Sequence, residues 1–403
     1  MTLEKPFLDF YGKHSIIPVA QDINPDHFHR RYYLYQTLGL QCGEGALSRR
    51  NILEVGPGTG DNAVVTVKLY PTAKFSFIDG NPSSIAVLKD KLKAKLLPED
   101  SSIFNIDFAK ADVSEMQDKF DLVLCEGTIP GQTHPVQFAS KLFTLVVCGG
   151  GGPIVLTCAD VYSTLPELLR RLFRPHLIRD GFEAAVSNGI EIFSSHLECL
   201  PGASRSTSDW VCDQILHPWS HSNWQFSILD ALKLANEYKF DFLGSSPSFY
   251  LDWKWYKEVV DSANHRNKLA MQLWESQRIF TIDKRLEPSF SCFDLDHELD
   301  ELLQDLVGFV ALATTDNDFQ YSNFHERKLD NLLLAIIEIL QRSNLRNVLE
   351  PTIQALADFK DAWPEICKGK LDADCKTFKS WWGRGTQYIS FQNSPSLQEL
   401  FSI

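Results

Sequence analysis

The chain has 403 residues, 44% of them hydrophobic and 23% charged, an ordinary globular composition. A formal net charge of −13 argues against non-specific binding to a nucleic-acid backbone, which needs a basic face. Nine scattered cysteines, odd in number and without a C-x-x-C pair, read as reduced thiols rather than a disulfide frame or a zinc site.

The N-terminal stretch M-T-L-E-K-P-F-L-D-F-Y has no basic segment leading into an apolar one, so no secretory signal is visible. No stretch approaches the roughly 20 continuous apolar residues that span a bilayer. A cytoplasmic protein with neither a membrane nor a nucleic-acid partner is expected. Phe10-Tyr11-Gly12-Lys13-His14 reads as a turn. Pro25 to Leu38 reads as a helix capped by Asn24, with Pro25 at its first position. His27 and His29, two apart, diverge on such a helix and do not share a metal.

Asn51 to Gly60, N-I-L-E-V-G-P-G-T-G, is the stretch that organises the rest. A short apolar run stops at Gly56, Gly58 and Gly60, and an amphipathic segment (Ala63, Val64, Val67, Leu69) follows. That pattern is a strand, a tight glycine turn and a helix start. The dinucleotide fingerprint G-x-G-x-x-G would place glycine at position 61, where this chain has Asp61. A carboxylate there competes with a pyrophosphate for the helix N–H groups and repels it. A ligand without phosphate and with a positive centre, such as S-adenosylmethionine, is not repelled. The run E-V-G-P-G-T-G resembles the first motif of the class I S-adenosylmethionine-dependent methyltransferases.

Lys74 to Asp79 (K-F-S-F-I-D) is a second strand ending in a carboxylate, followed by Gly80 and Asn81. The resemblance implies that Asp79 accepts hydrogen bonds from both ribose hydroxyls; a turn aspartate is the bland alternative. Ser83 to Leu97 follows as an amphipathic helix with lysines on its wet face. Within F-N-I-D-F-A-K-A-D-V (104–113), Ala111-Asp112-Val113 resembles the family's adenine-contacting motif. Phe120 to Glu126 looks like the fourth strand, Pro135 to Val147 the next helix, and Gly152 to Asp160 the fifth strand. The resemblance covers about residues 50–175. It implies an α/β fold: a doubly wound, Rossmann-like seven-stranded sheet, here with an added, mainly helical subdomain.

The remainder is longer than a minimal domain of this family needs. Thr164 to Phe173 is expected as the helix after strand five, with Arg170, Arg171 and Arg174 suiting the helix dipole rather than a phosphate site. Ser206 to His217 reads as a helix, and Pro218 prevents His217 and His221 from aligning as a zinc pair. Trp224 to Tyr238 and Phe240 to Gly244 read as the helix and sixth strand. An aromatic cluster follows at Phe249, Tyr250, Trp253, Trp255 and Tyr256. Helical periodicity then fills 258–365, best over Leu295 to Leu312 and Leu329 to Leu340. After the glycine-flanked turn at 381–385, T-Q-Y-I-S-F (386–391) resembles the last strand of the family's sheet. The expected division is a lid over 1–50, a core over 51–250, a helical subdomain over 251–375 and a return to the core over 376–403. A separate C-terminal domain with its own hairpin is the alternative.

By resemblance the cofactor is S-adenosylmethionine, held by Glu54, Gly56, Gly58, Gly60, Asp79, Gly80, Asp112 and Glu126. The candidates nearest the chemistry are Glu126, His134 on the loop after strand four as general base, and Tyr11 on the lid. A surface histidine and a packed tyrosine are the bland readings of the last two. Asp160 and Tyr162 are second-rank pocket residues. The chain lacks the D/N-P-P-Y/F motif of enzymes that methylate amide or exocyclic amino nitrogens. The tryptophans at 210, 219, 224, 253, 255, 381 and 382 form either an aromatic acceptor pocket or ordinary core. The expected activity is in-line methyl transfer to a small-molecule oxygen, nitrogen or carbon acceptor, with a possible homodimer. A protein methyltransferase and a non-catalytic cofactor-binding module are the alternatives.

Overall fold

The computed structural model describes residues 6–14, 23–43, 51–113, 116, 120–149, 152–200, 202–203, 205–260, 262–288, 297–371 and 375–393. Two helices come first, α1 (Pro6–His14) and α2 (Pro25–Thr37). Then come β1 (Asn51–Val55), α3 (Asp61–Leu69), β2 (Lys74–Asp79), α4 (Pro82–Lys93), β3 (Ser102–Asn105), β4 (Leu122–Cys125), α5 (Pro135–Gly149) and β5 (Ile154–Cys158). Helices α6 (Val161–Arg171), α7 (Arg174–Leu177), α8 (Phe182–Glu198) and α9 (Thr207–Trp210) follow. The last runs on as a π-helical turn over Val211–Leu216. The chain continues through α10 (Ile228–Tyr238), β6 (Phe240–Ser246), α11 (Ser262–Gln277), α12 (His297–Thr315) and α13 (Asn323–Arg342). It closes with α14 (Arg346–Cys367), α15 (Lys376–Ser380) and β7 (Gln387–Asn393).

The seven strands form one sheet in the order β3-β2-β1-β4-β5-β7-β6. The first five pair parallel, and β7 runs antiparallel between β5 and β6. This is the doubly wound α/β sheet that the sequence predicts. Alternation along each strand sends side chains to opposite faces. Leu53, Val55, Val123 and Cys125 pack in one cluster with Phe138, Leu142, Ala231 and Leu232 from α5 and α10. Ile52, Phe75, Phe77, Leu122 and Leu124 pack in another with Tyr35 of α2, Val64 of α3 and Leu88 of α4. The parity of the second face carries on to Glu54, Asp79 and Glu126, so three carboxylates meet the α2 side where β1, β2 and β4 end.

The chain divides into two compact units. One contains Leu8–Cys158, Phe226–Trp274 and the chain from Gln387 onward; the other contains Ala159–Gln225 and Glu275–Thr386. The expected core boundary of 51–250 therefore needs correction, because 159–225 clusters with the helical segment. Within that unit α6 packs on α12 and on the short 3-10 helix Arg278–Ile282, which ties it to residues far along the chain. Phe10 to His14 is also not a turn: it is the second half of α1, with Phe10 and Tyr11 buried and Gly12 on an open face where a missing side chain costs no packing.

The arginines of α6 and α7 are buried rather than solvated. Arg170 donates to the carbonyls of Phe378 (3.1 Å), Lys379 (3.2 Å) and Trp381 (2.9 Å) and stacks 3.8 Å from the Trp382 ring. Arg171 donates to Gln214 O and Arg174 to Leu216 O, at the end of the π-helical turn. The Arg170 guanidinium thus gathers carbonyls at the end of α15, where the helix leaves acceptors short of donors. Trp210, Trp224, Trp381 and Trp382 are core residues of this unit, with Trp381 Nε1 donating to Ile282 O and Trp382 Nε1 to His196 O.

Replacing Arg170 by leucine removes the side-chain donor from the Lys379 and Trp381 carbonyls, while Phe378 O keeps the Trp381 N–H. The expected loss is roughly 3–5 kcal/mol of stability, read as a lowered midpoint in urea denaturation. Arg170→Lys, which lacks the planar fork, recovers only part of it.

Candidate functional site

The glycine turn between β1 and α3 is built as a cradle. Gly56, Gly58 and Gly60 all take positive φ (74°, 58° and 76°), which side-chain-bearing residues avoid. A Cβ on Gly56 would collide with the Thr128 side chain. Gly58 N–H donates to Asp79 Oδ2 (3.0 Å) and Asn81 N–H to Asp79 Oδ1 (2.8 Å). One carboxylate at the end of β2 therefore fixes the glycine turn and the start of α4 together. Each of its oxygens keeps a lone pair for a further donor. Burial raises the Asp79 pKa, and the two backbone N–H donors counter it.

Asp61, at the first position of α3, does not face that cradle as a bare charge. It is paired with Lys91 of α4 and accepts from Thr59 Oγ1 at 2.8 Å. The discrimination against pyrophosphate inferred from its charge is therefore weaker than its position in the sequence implies. Gly80 is covered by Leu8 of α1, whose side chain a Cβ there would meet. Tyr11 is buried three residues beyond Leu8, on the same face of α1. Asp112 and His134 are both exposed, Asp112 in the segment after β3 and His134 immediately before α5. His134 O accepts from Phe138 N at the first turn of that helix.

The residue that sequence reasoning missed is Arg31. Its guanidinium makes a two-pronged pair with Glu126, Nη1 to Oε2 at 2.9 Å and Nη2 to Oε1 at 2.7 Å. Nη2 also donates to Tyr35 Oη (2.7 Å) and Thr66 Oγ1 (3.3 Å), and Tyr35 Oη donates to Glu126 Oε1 (3.3 Å). Burial alone would lower the Arg31 pKa, but the Glu126 carboxylate outweighs it and holds it well above the usual value. A signal was available: His27, Arg31 and Tyr35 recur every four residues on α2, a polar stripe on the face that otherwise packs inward. His27 Nε2 lies 3.1 Å from Asn62 Oδ1; burial and then the nearby Arg31 charge lower its pKa.

Glu54 completes the group. It is 2% exposed, and its Oε2 has no hydrogen-bond partner. Burial first, then the Glu126 charge, push its pKa up to about 8, against the pull of Arg31. The structure thus brings Glu54, Gly56, Gly58, Asp79, Glu126 and Arg31 to one end of the sheet. An unpaired buried acid beside a glycine cradle and a half-satisfied carboxylate suits a ligand that carries positive charge and a diol. Among the described residues no group of three or more His, Cys, Asp or Glu side chains is placed to hold a metal ion. Asp160 and Tyr162 serve their own unit: Asp160 caps α6 in a capping box with Ser163, and Tyr162 donates to Asp300 at 2.8 Å.

Residues 52–150 match the family model described as a methyltransferase domain. The malonyl acyl-carrier-protein O-methyltransferase 1 of Ilyobacter polytropus is 30% identical over 134 residues, 31% of this chain and 47% of that protein. The chain thus spans about half the length of this curated relative. Among solved structures, PKMT2 from Rickettsia typhi in complex with AdoHcy aligns at a TM-score of 0.39 and 13% identity, over 63% of this chain and 50% of that one. Magnesium protoporphyrin IX methyltransferase (ChlM) from Synechocystis PCC 6803 with bound SAH aligns at 0.32 and 12% identity, over 60% and 84%.

Because the Glu54 pKa is raised from 4.5 to about 8, the folded chain holds more protons than the unfolded one between these values. Its contribution to stability is complete below pH 4.5 and is lost as pH rises through about 8. Glu54→Gln is therefore expected to flatten the fall in thermal midpoint across that range and to exceed wild type at the alkaline end. Melting curves of both proteins against pH measure this.

Proposed function

We propose, for a chain whose residues 52–150 are a methyltransferase domain of the class I S-adenosylmethionine-dependent superfamily, that it transfers a methyl group to a small-molecule acceptor. The observation that carries this reading is the joining of the glycine turn to the acid of β2 through Gly58 N–H and Asp79. The two hallmarks that the sequence presents twenty-one residues apart are one hydrogen-bonded object at the ligand-binding end of the sheet.

When bound, the cofactor supplies a methyl group activated by its sulfonium. The chain's own residues do the rest. The backbone at Gly56, Gly58 and Gly60 lets a ligand approach without a side chain in the way. Asp79 accepts from the ribose hydroxyls with the lone pairs that Gly58 and Asn81 leave open. Gly80 and Asp112 flank the adenine side, and α1 covers Gly80 through Leu8, with Tyr11 on the same face. Glu54 offers its unpaired oxygen to the positive end of the ligand.

Glu126 is already closed on Arg31, so its part is to orient rather than to take a proton. We assign to His134, exposed at the head of α5, the part of receiving the proton of a hydroxyl or amine acceptor. The relative from Ilyobacter is by its name an O-methyltransferase of a malonyl group on acyl carrier protein, which makes an oxygen acceptor the first to screen.

Calorimetric titration with S-adenosylmethionine, S-adenosylhomocysteine and NAD tests the reading. The first two are expected to bind wild type and to lose measurable binding with Asp79→Ala. NAD binding in their place would sink it. Gly56→Ala is expected to abolish binding as well, because φ of 74° and the Thr128 side chain both oppose a Cβ there.

A further inference from the structure

The loop after β6 is the most exposed apolar segment of the described chain. Trp253 is 86% exposed, Trp255 57%, Tyr256 73% and Val260 99%, with Leu251 at 42%. Soluble surfaces scatter such residues singly and rarely gather them in ten consecutive positions. The loop is also held in place. Phe249, at its base, is buried against Phe242 and Trp274. Asp252 accepts from Lys254 N (2.9 Å) and pairs with His265 of α11 (2.8 Å), and Glu258 N donates to Trp255 O (2.8 Å). The base is fixed and the rings are displayed.

We propose that this tip docks on the interface of a phospholipid bilayer. The proposal does not depend on the methyl-transfer reading. Three features favour lipid over a protein partner. The rings are tryptophan and tyrosine, which pair an apolar body with a polar edge and settle at headgroup level. Lys257 lies 4.8 Å from the Trp255 ring centroid and 5.8 Å from that of Tyr256, and Lys254 immediately precedes Trp255 in the chain. Lysine is depleted at the centre of protein interfaces, whereas at a lipid surface its stem lies along apolar chains while its head reaches the phosphates. On the tip these two cations are matched in number by Glu258 and the His265-paired Asp252, so its charge is nearly balanced while the whole chain carries −13.

Size points the same way. The three rings expose on the order of 400 Å², about half of the roughly 800 Å² that one partner of a standard protein interface buries. A bilayer needs no matching shape. The loop leaves the carboxyl end of β6, which runs parallel to β5 because both pair antiparallel with β7. It therefore emerges at the same edge of the sheet as the glycine cradle.

The test is co-sedimentation of the intact protein with vesicles of pure phosphatidylcholine and of phosphatidylcholine mixed with phosphatidylserine. Binding to both is expected, with no gain from the anionic lipid, because the tip's charges balance and the chain as a whole is acidic. Trp253→Ser combined with Trp255→Ser should weaken the partition constant by about tenfold or more while leaving the thermal midpoint unchanged. A second readout needs no variant: brominated phosphatidylcholine should quench part of the wild-type tryptophan emission. No vesicle binding and no quenching would overturn the proposal. A concentration-dependent dimer lost in the same variant would then assign the tip to a second copy of the chain, and a monomer would leave it a solvated loop.

Discussion

The site depends on one buried ion pair. Arg31 and Glu126 have side chains only 5% exposed, and they join α2, which precedes the sheet, to the end of β4 at its centre. Taking both charges out of water is costly, and a bidentate geometry with further donors is what makes it tolerable. Tyr35 and Thr66 provide those partners. The pair is weak evidence of extra stability but strong evidence of position, because either charge left alone would be uncompensated in the interior. It also sets the electrostatics of its neighbours. With Glu126 spoken for, Glu54 has no cation of its own and holds its proton near neutral pH.

The arrangement sets carboxylates and bare glycine backbone side by side at the carboxyl end of β1, β2 and β4. Asp79 spends half of its hydrogen-bonding capacity on the protein and keeps the other half. Glycine occurs at 56 because any larger residue would strain the backbone and strike Thr128. Such pre-set geometry lets a ligand bind without first reorganising the turn.

The helical unit follows a different physical logic. Its interior holds Arg170, Arg171 and Arg174, whose guanidiniums reach carbonyls at the ends of α15 and of the π-helical turn. Burial lowers the pKa of Arg170 and Arg174 to about 10, which still leaves them charged at neutral pH. Tryptophan faces accept part of that charge at 3.8 Å and 4.9 Å. Of the tryptophans that composition made available for a ligand cage, Trp219 and Trp382 meet arginine here instead.

The sequence by itself determined the sheet. Gly56, Gly58 and Gly60 after an apolar run, and Asp79 after another, are local patterns whose meaning does not depend on distant residues. The helix from Pro25 was legible for the same reason, since caps and proline act within one turn. The one expected over Ser83 to Leu97 was legible from its apolar spacing, though it spans Pro82–Lys93. Tertiary structure alone decided the rest. Arg31 meets Glu126 across ninety-five residues, and no local pattern encodes that distance. The helix after β5 carries an ordinary amphipathic signature, yet it joins the helical unit because its partners, α12 and the 3-10 helix Arg278–Ile282, lie more than a hundred residues ahead. Trp224 is buried and Trp253 displayed although both are tryptophans near a strand, because burial is a property of what packs above a residue and not of the residue.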